Sequence, residues 1–111
     1  MKLLTQDLRK NIPVLYAQEH NRVPIVYAKF FTPWSNWSWY VTEFDGEDLF
    51  FGLVDGFEKE LGYFSLSELE QISGPFGLQI ERDIHFSSQP LSDLFPELYD
   101  DKFENAEQGA E

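Results

Sequence analysis

The chain contains no cysteine. That excludes disulfides, on which small secreted domains usually depend, along with thiolate nucleophiles and Cys-based zinc sites. Histidine is scarce, with only His20 and His85. No stretch approaches the roughly 18 apolar residues of a membrane span. Residues 1–7 turn polar too early for the apolar core of a secretion signal, so a cytoplasmic location is the simple expectation. Positive charge is the other shortage: eight Lys and Arg stand against 20 Asp and Glu, for a net charge of −12. The deficit is uneven, since residues 1–42 hold five bases and two acids, whereas residues 43–111 hold three bases and 18 acids. A surface of that sign repels phosphate, which disfavours direct nucleic-acid binding. It suits a basic partner, or serves solubility alone.

What is present is apolar and aromatic. Of 111 residues, 42% are hydrophobic, with 11 Phe, 5 Tyr and 3 Trp. A chain of this length makes one domain and buries roughly two-thirds of its unfolded surface. Thr5 can cap a short helix ending near Asn11, with Leu4, Leu8 and Ile12 on one stripe and Pro13 as the stop. Residues 25–31 read as a strand, 32–36 as a turn, and 37–44 as a strand with Trp37, Trp39 and Val41 on one face and Ser38, Tyr40 and Thr42 on the other. Asp45-Gly46 signals a hairpin to a return strand at 48–54. A two-residue turn there would place Trp39 opposite Gly52, an indole covering a strand glycine. Residues 60–64 suggest a fourth strand. Ser65 and Glu68 have capping-box spacing for a helix running to about Ser73, with Leu66, Leu69 and Ile72 facing inward. Residues 78–86 alternate as a half-exposed strand in which Arg82 falls on the apolar face. A short helix or turn is expected over 90–99. The whole implies a single α+β domain over 1–98, with a four- to five-stranded antiparallel sheet and two helices packed on one face. Residues 99–111 read as an acidic, disordered tail.

Several segments together carry a family likeness: Lys2-Leu3-Leu4-Thr5, Pro13-Val14-Leu15-Tyr16, Lys29-Phe30-Phe31-Thr32-Pro33, Trp37-Ser38-Trp39-Tyr40, Asp45-Gly46, Phe51-Gly52-Leu53-Val54, Glu60 to Leu66 and Glu81-Arg82-Asp83. They resemble a bacterial family of unknown function, small acidic proteins often encoded on plasmids, phages and integrative elements. The resemblance implies a bacterial, mobile-element origin and no particular chemistry.

Each candidate site has a plainer structural role beside the functional one. Glu43, Asp45, Glu47 and Asp48 cluster at one hairpin tip; their spacing does not match a calcium loop, and a solvated turn explains them better. Glu81-Arg82-Asp83 places an arginine toward the core, where it needs a carboxylate such as Glu43 or Glu60. A structural ion pair and a ligand-gripping arginine both remain open there. His85 shares a face with Glu81 and Asp83, without a nucleophile or second histidine to complete an acid–base or metal site. Trp37 and Trp39 suit cross-strand packing, and Trp34 in the turn is the candidate exposed anchor for a protein. Nothing calls for a metal or other cofactor.

Two functional expectations follow. In the first, the chain is a non-enzymatic accessory protein of bacterial mobile DNA. It engages a basic or nucleic-acid-binding protein through Trp34, Glu43, Asp45, Glu47, Asp48, Glu58 and Glu60, by an acidic surface that imitates nucleic-acid charge. In the second, it is a small metal-dependent hydrolase or nuclease using Glu43, Asp45, Glu81 and Asp83. A small-ligand binding module is a third option.

Overall fold

The computed structural model describes residues 1–99, so the expected acidic tail lies outside the described residues from Asp100 onward. Thr5 stands extended and its hydroxyl accepts a hydrogen bond from the Leu8 N–H, which starts α1 (Gln6–Asn11). Asp7 in the first turn and Arg9 and Lys10 in the last suit the helix dipole. The helix stops at Ile12, held extended before Pro13. A run of turns then leads to β1 (Ile25–Val26) and β2 (Ala28–Phe31). The expected single strand over 25–31 is broken at Tyr27, whose N–H bonds to the Val41 carbonyl.

The main sheet adds β3 (Ser38–Phe44), β4 (Leu49–Asp55), β5 (Lys59–Ser65) and the two-residue β6 (Glu81–Arg82). It is antiparallel, in the order β5-β4-β3-β2-β6. Ser65 ends β5 and caps α2 (Leu66–Gln71), accepting from the Glu68 N–H as the capping spacing requires. Near the C-terminal end, β7 (Gln89–Pro90) pairs with β1, followed by α3 (Leu91–Leu94) and a 3₁₀ turn over Pro96–Tyr99. Among the described residues no helix is long and apolar enough to cross a membrane.

Helices α1 and α2 cover one face of the sheet. Leu3, Leu4, Ile12, Leu66 and Leu69 pack there on Phe30, Trp39, Val41, Phe44, Phe50 and Phe64. Phe44, Phe50 and Phe64 follow one another across three strands, Phe44 stacked on Phe50 at 4.7 Å between centroids and Phe50 tilted against Phe64 at 5.5 Å. The opposite face is also covered. Leu91 and Phe95 of the C-terminal segment pack on Val26, Tyr40 and Leu53, with Phe95 edge-on to Tyr40 at 5.0 Å. This second core explains why six of the seven β3 residues are buried instead of alternate ones.

Four local expectations change. The β3–β4 connection is longer than two residues, because the Asp45 carboxylate accepts from the N–H groups of Glu47, Asp48 and Leu49 and rounds out a wider loop. Trp39 therefore pairs with Val54, and Gly52 lies opposite Val41. Over 78–86 only Glu81–Arg82 is strand, since Asp83 starts a turn that accepts from His85 and Phe86 and leaves Ile84 exposed. Ile72 caps the end of α2 in extended conformation and is exposed. Tyr99, assigned above to the tail, is part of the fold, with its hydroxyl donating to the Arg22 carbonyl at 2.9 Å.

Candidate interaction surface

The geometry of the second face starts from a β-bulge. Val41 pairs with Gly52 and Glu43 with Phe51, so Thr42 is an extra residue in β3. Its hydroxyl donates to the Phe51 carbonyl at 2.9 Å. The bulge reverses the side-chain alternation: Phe44 turns into the first core, and Glu43 joins Phe51 on the second face. It also crowds the backbone. A Cβ on Gly52 would lie 1.9 Å from the Tyr40 carbonyl oxygen, so glycine is needed there for the bulge and not for an indole.

Glu43, only 4% exposed, accepts from the Tyr16 N–H at 2.8 Å and the Gln18 N–H at 2.7 Å. Gln18 is buried beside it. Its amide donates to the carbonyls of Ile25 and Thr42 and accepts from the Ile25 N–H. This network fastens the loop after α1 across the sheet and holds Tyr16 in the left-handed region at φ 71°.

Between that loop and β5 lies a cleft of about 310 Å³, lined by Tyr16, Glu19, Arg22, Phe51, Tyr63 and Tyr99 among others. Tyr16, Leu61 and Tyr63 are 61%, 57% and 51% exposed. Its own hydroxyl donating to the Tyr16 side chain, followed by partial desolvation, pushes the Tyr63 phenol above its ordinary pKa. Burial does the same to Tyr99, opposed by the Arg22 guanidinium, which sits 5.7 Å from the Tyr99 ring. β5 is an edge strand of the sheet.

The sequence candidates fall in separate places. Asp45, Glu47 and Asp48 stand at the β3–β4 tip, where the three backbone N–H groups hold the Asp45 carboxyl below its ordinary pKa. Asp48 accepts from the N–H and hydroxyl of Ser67, so it ties the tip to α2. Glu58 and Glu60 are at the other end of β4, exposed beside the open edge. Across a seven-residue strand that is roughly 20 Å away. Glu81, Asp83 and His85 line a third region, a shallow groove near Met1 and Lys29. Among the described residues no three His, Asp or Glu are grouped to hold a metal ion.

Arg82 takes neither Glu43 nor Glu60 as its partner. Its Nη1 donates to the Lys2 carbonyl and, at 3.1 Å, to the Leu3 carbonyl, binding the N-terminal segment to β6. Trp34 is half-buried against the first core, its ring filling the space over Gly74. His20 is exposed beside Glu19, at 3.2 Å. The exposed face of Leu61 and Tyr63 was missed from sequence. Period two does put both on one side of β5, opposite Phe64, but the edge position of the strand depends on sheet order.

No curated protein matches the chain, and no solved structure matches it. A family model described as "Protein of unknown function (DUF2958)" matches residues 2–98, which takes in α1, the whole main sheet and both cores. The chain belongs to that DUF2958 family.

Proposed function

We propose that this chain is a non-enzymatic binding protein whose acidic surface engages a basic protein, in the bacterial mobile-DNA setting that its sequence resemblance suggests. The supporting observation is that Glu58 and Glu60 are exposed at an open end of the sheet, while the intervening Lys59 is directed elsewhere. Its Nζ lies 4.0 Å from Glu97 and 5.5 Å from the Phe95 ring. These carboxylates are left to attract positive charge at the start of β5, whose other face carries the exposed apolar side chains of Leu61 and Tyr63. Nucleic-acid-binding proteins carry basic surfaces of the complementary kind.

The hydrolase reading has weaker support. Its four carboxylates, Glu43, Asp45, Glu81 and Asp83, occupy three different places, and Glu43 and Asp45 already accept backbone hydrogen bonds. A pull-down from the bacterial host at low and high salt, read by mass spectrometry, tests the proposal. The expected result is a basic partner released as salt rises, because screening shortens the Debye length to about 3 Å at 1 M. A neutral or acidic partner retained equally at high salt would contradict it.

A further inference from the structure

We infer that the free edge of β5 accepts an extended basic segment of the partner as a sixth strand. The inference rests on the proposed acidic-surface function and supplies its geometry. The Leu66 N–H donates to the Asp48 carbonyl at 2.8 Å, just beyond the last β4–β5 pair, Leu49 with Ser65. That bond sets the phase of the ladder. Glu60, Gly62 and Phe64 turn their N–H and C=O groups toward β4, whereas Lys59, Leu61 and Tyr63 turn theirs away. Among the described residues no strand pairs with that outer side.

The usual protections of an edge are thin here. β5 is seven residues long, with no proline and no bulge in its pairing to β4. Leu61 and Tyr63 stand more than half exposed on one face, next to the edge. On the other face Glu60 is exposed, and nothing lies within 4 Å of the position where Gly62 would carry a Cβ. A strand added to this edge meets two different environments. Residues opposite Leu61 and Tyr63 share their face and should be apolar. The intervening residues lie beside Glu60 and the Gly62 gap, where long basic side chains fit. The occupant is therefore an extended segment that alternates apolar and basic residues, bound by main-chain hydrogen bonds with side chains setting specificity. A second copy of this chain is disfavoured, since it would join two molecules of charge −12.

The test uses the full chain and three end-blocked ten-residue peptides of alternating Lys and Val: one unmodified, one N-methylated at its valines, one N-methylated at its lysines. In the inferred register, antiparallel like every other pair of the sheet, the valines face Leu61 and Tyr63 and direct their N–H groups to β5, so only valine methylation removes the bonds. The unmodified and lysine-methylated peptides should bind, with affinity falling as salt rises. Hydrogen exchange at the Leu61 and Tyr63 amides should slow by about tenfold or more on binding, and the valine-methylated peptide should fail. Equal binding of both methylated peptides, with salt dependence intact, would overturn strand addition and leave the acidic-surface reading standing. Binding indifferent to salt would overturn the acidic-surface reading itself. No binding by any peptide at millimolar concentration would overturn strand addition. So would Leu61 and Tyr63 amides already protected in the free protein, which would assign the edge to this chain or, if protection grows with concentration, to a second copy.

Discussion

Replacing Glu43 with Gln separates a structural carboxylate from a functional one. The side chain keeps its shape, but one of its two oxygens becomes an NH₂ group. In the native chain those oxygens receive the Tyr16 and Gln18 N–H groups at 2.8 and 2.7 Å, in a site 4% exposed. With Gln, one amide faces a donor and loses its bond, and the other keeps a neutral bond in place of a charge-assisted one. Hydrogen bonds to charged groups contribute about 1.5–3 kcal/mol each and neutral ones about 0.5–1.5. One bond lost and one weakened gives a destabilisation of about 2–4 kcal/mol. At about 4–8 °C per kcal/mol for a domain near 100 residues, Tm should fall by roughly 8–32 °C. Thermal unfolding followed by circular dichroism reads this directly, and hydrogen exchange at Tyr16 and Gln18 should speed up more than exchange in β4. A variant with unchanged Tm, or with native stability and lost partner binding, would refute the assignment of Glu43 to the fold.

Four further outcomes follow from the same structure. Gly52→Ala should destabilise by about 3 kcal/mol or more, as overpacking against backbone does, because its Cβ meets the Tyr40 carbonyl at 1.9 Å. Gly62→Ala on the neighbouring strand meets nothing within 4 Å and should stay within about 1 kcal/mol of native in urea unfolding. Arg82→Met should cost about 1–2 kcal/mol by freeing the Lys2 and Leu3 carbonyls, less than two fully buried charge-assisted bonds because solvent reaches the site, while partner binding at β5 persists in titration calorimetry. Because burial raises the Tyr99 pKa in the folded state, the neutral phenol's contribution is complete below the ordinary value of 10.0 and is lost as pH rises through the folded value. Near-UV dichroism should accordingly report loosening of residues 91–99 in alkaline solution, and Tyr99→Phe should remove that transition.

Local chemistry in the sequence was legible wherever a side chain served its own backbone. Thr5 before α1, Ser65 before α2, and Pro13 after Ile12 each act within three or four residues, so spacing alone locates them. Sheet register was less accessible. Asp-Gly suggests a tight turn, yet the Asp45 carboxylate collects three backbone N–H groups and widens the loop, and the Thr42 bulge then removes one residue of the offset. The net shift at Trp39 is two residues, from Gly52 to Val54, so its face was still assigned correctly. Residues 78–86 misled because alternation is also compatible with an irregular segment, and the Asp83 turn takes over after Arg82. The cleft was beyond reach, since it depends on Glu43 meeting a loop 25 to 27 residues earlier in the chain and on the C-terminal segment lying across the sheet.

The most direct measurement of the central claim is the salt dependence of affinity for a basic partner segment, in the native chain and in a Glu58→Gln, Glu60→Gln double variant. Glu47→Gln at the opposite end of β4 serves as the control. The double variant should bind more weakly at low salt and show a shallower decline with rising ionic strength, and the control should match the native chain. Identical curves for all three proteins, or a loss confined to the Glu47 variant, would contradict the placement of the interface at β5.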